Sequence, residues 1–295
     1  MASIAEFPVL VYDVGGSHVS AAVCLGRSLQ LGPLARAGYP AEQSSNAFIH
    51  LLHTLGVEAA TGLTPVTGAT LAFPGPFDFP AGISLMRHKL PYLYGFNLRF
   101  ALAGLFGWEP SQVSFLNDAG AYLLGEVGAG AARGCARAIG ITLGTGTGSA
   151  FAVDGRLVTD GSFVPPNGEI WNLPYEGGIV EDFLSSRAVI ARYQRRTGLT
   201  REVKALAADA PHDPAAAETF EEFGRHLGRV IGSKLAGFAP EVIVLGGGIS
   251  RAAHLFLPAA QSELAGSGLR LRLTELQDSA PLVGCAVARF NGQIA

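Results

Sequence analysis

Short, almost wholly apolar runs punctuate the chain, among them "PVLVYDV", "VTGATLAF" and "EVIVLGG". Runs of that length, bounded by Gly and Pro, read as buried strands. The first third predicts strands over Pro8–Val14, His18–Leu25 and Leu31–Ala37, a helix over Glu42–Ala60 and a strand over Val66–Phe73. That is a hairpin sheet followed by a helix and a parallel strand. After the loop "FPGPFDFPAG" come a helix over Leu98–Phe106, with Asn97 as its cap, a short strand "VSFL" and a long helix opening at Asn117 and Asp118. An Asn or Asp there accepts from the free N–H groups of the first turn. The remainder predicts helices over Val180–Thr197 and Ala215–Phe238, a strand "EVIVLGG", a helix from Ser250, a strand "LRLRL" and a last helix from Pro281. The charged, alanine-rich stretch "RRTGLTREVKALAADAPHDPAAAE" reads as exposed helices without chemistry.

The opening pattern returns, since "DVGGSHVSAAV" and "LGTGTGSAFAV" both turn on glycine between β-rich runs. This suggests an internal duplication, with two similar sheets whose glycine turns face a shared cleft. The expected division is 1–116, with the last helix, 281–295, as a candidate to join it, and 117–280.

Length and composition fit this plan. A chain of 295 residues, 48% hydrophobic and 15% charged, has room for two domains. A net charge of −3 without like-charge runs gives no electrostatic reason to expect nucleic acid or an anionic membrane as partner. The apolar runs are far shorter than the roughly 20 residues of a membrane span. "MASIAEFP" lacks a basic head and apolar stretch, so a cytoplasmic protein is expected. Cys24, Cys135 and Cys285 are widely separated and read as three buried thiols.

Candidate chemistry gathers on three glycine turns, each after an apolar strand: Gly15–Gly16–Ser17, Gly144–Thr145–Gly146–Thr147–Gly148 and Gly246–Gly247–Gly248. Backbone N–H groups approach phosphate oxygens closely where no Cβ intervenes, so the set points to a nucleotide. None of the turns has the Lys and Ser/Thr of a Walker loop. The dinucleotide pattern GxGxxG also fails, with Ser149 or Arg251 at the third glycine. GxSxG and HExxH are absent, and His50 and His53 on one helix face lack a third ligand.

The set "DVGGS" (13–17), "PGPFD" (74–78), "NDAGAYLLGE" (117–126), "LGTGTG" (143–148), "NGEI" (167–170), "VEDF" (180–183) and "VLGGGIS" (244–250) resembles the ROK family of bacterial sugar kinases, repressors and related proteins. Order and spacing agree from about residue 8 to residue 290. The resemblance implies an α/β, two-lobed actin-like, ribonuclease-H-like ATPase fold with ATP, Mg2+ and sugar meeting in the interdomain cleft. It implies that Gly144, Thr145 and Gly146 hold phosphates and that Asp13 faces Mg2+ through water. Gly15, Gly16 and Ser17 would lie near the transferred phosphate, and Gly246, Gly247 and Gly248 against adenosine. Asp118 would be the catalytic base on the sugar hydroxyl. Glu169 and Glu181 would be sugar-binding glutamates, Asn117 a sugar-binding amide and Gly75 a backbone contact, with His88 where some relatives place a side chain on the sugar. Relatives are commonly dimers, so a homodimer is expected.

The match breaks at one place. Most relatives follow the "GE" glutamate with a histidine three positions on and a cysteine cluster that binds zinc. Here Asn172 stands at the histidine position and Ile179 at the last cysteine, so no structural zinc site is expected. Asn172 would still reach a sugar hydroxyl. Trp171 and Tyr175 either pack on a sugar face or fill the vacated space. The leading expectation is an ATP-dependent hexose kinase acting on the 6-OH of glucose, with N-acetylhexosamine, mannose or fructose as other acceptors. The alternatives are a sugar sensor without catalysis, a kinase using another donor such as polyphosphate, and a DNA-binding repressor. The repressor is disfavoured because only about a dozen residues precede Asp13.

Overall fold

The computed structural model describes residues 8–63 and 65–294. The reading of the first residues as lacking a leader lies almost wholly outside them. The chain forms two compact units, one running to Ala129 and resuming at Ser279, the other spanning Gly130–Asp278. The division falls after Ala129 rather than after 116, so the helix that opens at Asp118 stays in the first unit.

In the first unit β1 (Val9–Val14), β2 (His18–Cys24) and β3 (Ala35–Gly38) form an antiparallel meander. Helix α1 (Ser45–Ala59) then leads to β4 (Ala69–Phe73), which lies parallel to β1. A two-residue hairpin, β5 (Phe77–Asp78) and β6 (Ile83–Ser84), and helix α2 (Leu98–Phe106) precede β7 (Val113–Asn117), which is parallel to β4. Helix α3 (Asp118–Ala129) follows at once. The sheet order is β3-β2-β1-β4-β7. Strand β3 starts four residues later than predicted. Pro33 cannot donate to the ladder, and Leu31 keeps only an isolated bridge to Cys24. Side chains of β1, β4, α1 and α2, including Leu10, Tyr12, Phe48, Leu52, Leu71 and Leu102, bury together as the core.

The second unit repeats the plan. Strands β8 (Arg137–Leu143), β9 (Thr147–Val153) and β10 (Arg156–Val158) form the meander. After the small hairpin β11 (Pro174–Tyr175) and β12 (Gly178–Ile179) come helices α4 (Ser186–Thr197), α5 (Val203–Asp209) and α6 (Pro214–Val230). Strand β13 (Val242–Gly246), helix α7 (Ala253–Glu263) and β14 (Leu271–Leu273) complete the order β10-β9-β8-β13-β14. The helix predicted from Val180 begins instead at Ser186, because Ser185 caps it by accepting from the Ala188 N–H, and Val180–Asp182 is a single 3-10 turn. The winding beyond Val230 continues as a π turn over Ile231–Leu235.

The last helix, α8 (Ala280–Phe290), belongs to the first unit and crosses α3 at glycines. A Cβ on Gly284 would land on the Ala121 carbonyl oxygen, and one on Gly125 on that of Ala280. The absent side chains let the two backbones touch. Among the described residues no helix is long and apolar enough to cross a membrane.

Candidate functional site

Parallel pairing decides which residues meet in the first unit. Asp13 is in register with Ala72, and Phe73 with Asn117. The carboxyl ends of β1, β4 and β7 therefore share one edge, which carries Asp13, Gly75, Asn117 and Asp118. Such strand ends are where open α/β sheets bind ligands. Asn117 does the capping: its Oδ1 accepts from the N–H groups of Ala119 (3.0 Å) and Gly120 (3.2 Å). Asp118 is the first residue of the helix, half-buried, with Oδ1 accepting from the Ala119 N–H at 2.9 Å.

At the same edge the β1–β2 turn stands open, with Gly16 and Ser17 exposed. Its base is closed by the Gly15 N–H donating to His18 O at 2.9 Å. Tyr39 clamps it: its N–H donates to Ser17 O at 3.0 Å and its hydroxyl to Gly15 O. Burial, with the nearby Tyr92 and Asp13 adding to it, pushes the Tyr39 phenol well up, so the hydroxyl stays a donor. Tyr39 gave no signal in the sequence. His88 is exposed on the segment after β6. Asn97 caps α2, with Oδ1 accepting from the Phe100 N–H at 3.1 Å.

In the second unit the β8–β9 turn and the end of β13 lie side by side, since Thr142 is in register with Gly246. The glycines here serve two purposes. Gly247 has φ +83°, and a Cβ would strike the Leu143 carbonyl. Gly146 could not carry a Cβ without placing it 2.5 Å from Glu181 Oε2. Packing explains both. At Gly16 in the first unit, and at Gly144 and Gly248 here, a Cβ would meet nothing within 4 Å. Packing does not require glycine there. The missing Cβ leaves the backbone open on that side to the close approach of a ligand, although the Gly144 N–H itself donates to Gly146 O at 3.0 Å.

Glu169 and Glu181 lie on one connected segment. Ser149 pins its start, donating to Gly168 O at 2.7 Å and accepting from the Ile170 N–H at 3.0 Å. This is the serine whose place in "GTGTGS" excluded a dinucleotide loop. The Trp171 indole donates to Glu169 Oε2 at 3.0 Å, and the Glu181 N–H donates to Trp171 O at 2.9 Å. Trp171 and Asn172 are exposed, whereas Tyr175 is buried. The Tyr175 hydroxyl meets His226 Nδ1 at 2.9 Å, and its ring stands edge-on to Phe183 at 4.9 Å. Tyr175 thus packs into the core beneath the β11–β12 hairpin rather than onto a ligand.

Among the described residues no group of three or more His, Cys, Asp and Glu side chains could hold a metal ion. Cys24 and Cys285 are buried, but Cys135 is only half-buried, so the expectation of three buried thiols holds for two.

A family model described as "ROK family" matches residues 9–288. The N-acetylgalactosamine kinase AgaK of Shewanella sp. (strain ANA-3) is 27% identical over 95% of this chain and 95% of its own. The structure of a ROK family glucokinase from Streptomyces griseus in complex with glucose and AMPPNP superposes with a TM-score of 0.78 at 21% identity, covering 95% of this chain and 98% of that one. A ROK family transcriptional regulator, a homolog of the E. coli MLC protein, gives a TM-score of 0.81 at 20% identity over 97% of this chain and 79% of its own. These likenesses show the fold. With its motifs in family order and the family model spanning nearly all of it, the chain belongs to the ROK family and has the family's actin-like, ribonuclease-H-like α/β fold.

Proposed function

We propose that the protein is an ATP-dependent sugar kinase that transfers the γ-phosphoryl group to a hexose hydroxyl, with the 6-OH of glucose as the first acceptor to test. The observation that carries this reading is the strand-end edge of the first unit. Asp118 stands there at the start of α3 with the cap already supplied by Asn117, on the same edge as Asp13 and the open Gly16 turn. Phosphoryl transfer asks for alignment and charge neutralisation more than covalent chemistry. In this reading Asp118 orients the attacking hydroxyl and takes its proton as the new O–P bond forms. Asn117, Gly75, His88, Glu169, Asn172 and Glu181 contact the sugar. Gly144, Thr145 and Gly146 hold phosphates, and Gly246 to Gly248 hold adenosine. The open space beside the backbone at Gly144 and Gly248, where a Cβ would meet nothing within 4 Å, supports a bound nucleotide. Asp13, half-buried at the end of β1, suits a magnesium ion held through water, which would neutralise charge on the phosphates.

The test is a coupled ADP-release assay with ATP and Mg2+ over glucose, mannose, fructose, glucosamine, N-acetylglucosamine, N-acetylgalactosamine and N-acetylmannosamine. It is run beside Asp118→Asn. Turnover with one sugar is expected, falling about 10²-fold or more in the variant with nucleotide binding kept. A folded protein that binds ATP but turns over no sugar would sink the reading. That outcome would favour a sugar sensor, the second reading, since a transcriptional regulator shares this fold. The proposal includes a cytoplasmic homodimer, tested by fractionation and by light scattering on gel filtration. It also includes no structural zinc, and stoichiometric zinc in unchelated protein would refute that part.

A further inference from the structure

The segment from Glu181 to Ser186 clasps the β8–β9 turn at three points. Glu181 Oε2 accepts from the Thr147 N–H at 3.0 Å. Leu184 O accepts from the Thr147 hydroxyl at 2.9 Å. Gly144 O accepts from the N–H and the hydroxyl of Ser186, at 2.8 Å and 2.9 Å. A Cβ on Gly146 would fall 2.5 Å from Oε2, so it would have to shift the carboxylate. The second oxygen, Oε1, faces the Arg187 guanidinium at 3.1 Å, and that side chain is largely exposed. The backbone of Glu181 is tied backward as well: its N–H donates to Trp171 O, and the Trp171 indole donates to Glu169.

We propose that Glu181 is a positioning residue for the glycine turn: Oε2, seated on the Thr147 N–H, ties the Glu169–Glu181 segment to the Gly144–Thr147 turn. Its two oxygens divide the work. A sugar hydroxyl donating to Oε1 competes with Arg187, not with Thr147, so the turn keeps its acceptor while the sugar is bound. Because coupling between two sites is reciprocal, an occupant of the segment changes the affinity of the turn for its own ligand by the factor it itself gains. The inference rests on reading the turn as a phosphate site, but the placement of the turn by Glu181 does not.

The experiment therefore has two readouts. Amide hydrogen exchange at Thr147, relative to Ile141 in the preceding strand, reports the seating of the turn without any ligand. Dissociation constants for AMPPNP with Mg2+, with and without glucose, report its consequence. Glu181→Ala is expected to speed Thr147 exchange about tenfold or more and to weaken AMPPNP by a similar factor. Glu181→Gln keeps an acceptor and should stay within about threefold of the parent in both. Gly146→Ala, whose methyl must displace Oε2, should match Glu181→Ala, and combining the two should add nothing. Unchanged Thr147 exchange in Glu181→Ala, or equal exchange in the Ala and Gln variants, overturns the proposal. If the parent binds no AMPPNP while Thr147 exchange responds as stated, the kinase reading falls and the positioning role stands.

Discussion

Asn117 and Asp118 were singled out together in the sequence, and either could have capped α3. The structure divides them in part: the amide accepts from the N–H groups of Ala119 and Gly120, and the carboxylate, inside the helix, shares only that of Ala119. Spacing alone cannot make that division, because both side chains are short acceptors one residue apart. The glycines divide in a similar way. Those at 146 and 247 answer to a carboxylate and a carbonyl nearby, while those at 16, 144 and 248 face open space. A sequence shows only that they are glycine. Thiol reactivity is also a matter of single residues. Burial pushes the Cys24 thiol up to about 11, against a weaker opposing hydrogen bond to Gly26 O, and holds the Cys285 thiol well above its ordinary value too. Iodoacetamide on the native protein at pH 8 is therefore expected to label Cys135 first, since the thiolate is the nucleophile. Mass spectrometry showing earlier labelling of Cys24 or Cys285 would contradict this.

Helices α3 and α8 cross with their backbones in contact at Gly125 and Gly284. Alanine at 284 or 125 would gain helix propensity of about 1 kcal/mol over glycine. It would also drive a methyl into a carbonyl of the facing helix, which cannot rotate away as a side chain would. The clash wins, and each variant is expected to lose about 1–3 kcal/mol net in urea unfolding. Gly104, in α2, serves as the control because a Cβ there meets nothing within 4 Å. Gly104→Ala should be neutral or stabilising.

The β11–β12 hairpin supplies a second prediction for an element. His226 on α6 lies beneath it, facing the Tyr175 hydroxyl, Glu176 at 3.8 Å, Glu222 at 3.6 Å, the Phe183 ring and the guanidiniums of Arg192 and Arg229. Burial first, then Arg192, hold its pKa below the ordinary 6.5, outweighing the two glutamates. The unfolded chain therefore binds this proton more readily than the native one. Stability supplied by neutral His226 is full above pH 6.5 and is lost as the pH falls from there through the lower native value. Thermal midpoints between pH 7 and pH 5 should fall more steeply for the parent than for His226→Gln. Equal slopes would remove His226 as the cause.

Across the whole molecule, the repeat of "DVGGSHVSAAV" and "LGTGTGSAFAV" announced two sheets of one plan, and the strand orders match: a central strand, a meander on one side and parallel strands on the other. The apolar runs found the central strands because these are buried along nearly their whole length. Periodicity placed the start of α4 early, at Val180, because a 3-10 turn and a helix share apolar spacing and only the Ser185 cap separates them. The clasp on the glycine turn stayed hidden for another reason. Its partners are 34 and 37 residues apart in the chain, and one side of each contact is a backbone atom, which carries no sequence signature.

The return of α8 to the first unit has a bearing on synthesis. The second unit is one uninterrupted stretch, 130–278, whereas the first must wait for its closing helix. On the ribosome the later-made unit can finish first, and for that interval the α8-facing side of α3 is uncovered, with its small residues open to any passing helix. A chain stopped after Asp278 would stay at that stage. Its proteolysis should clear the first unit, although most of it is made first, and spare the second.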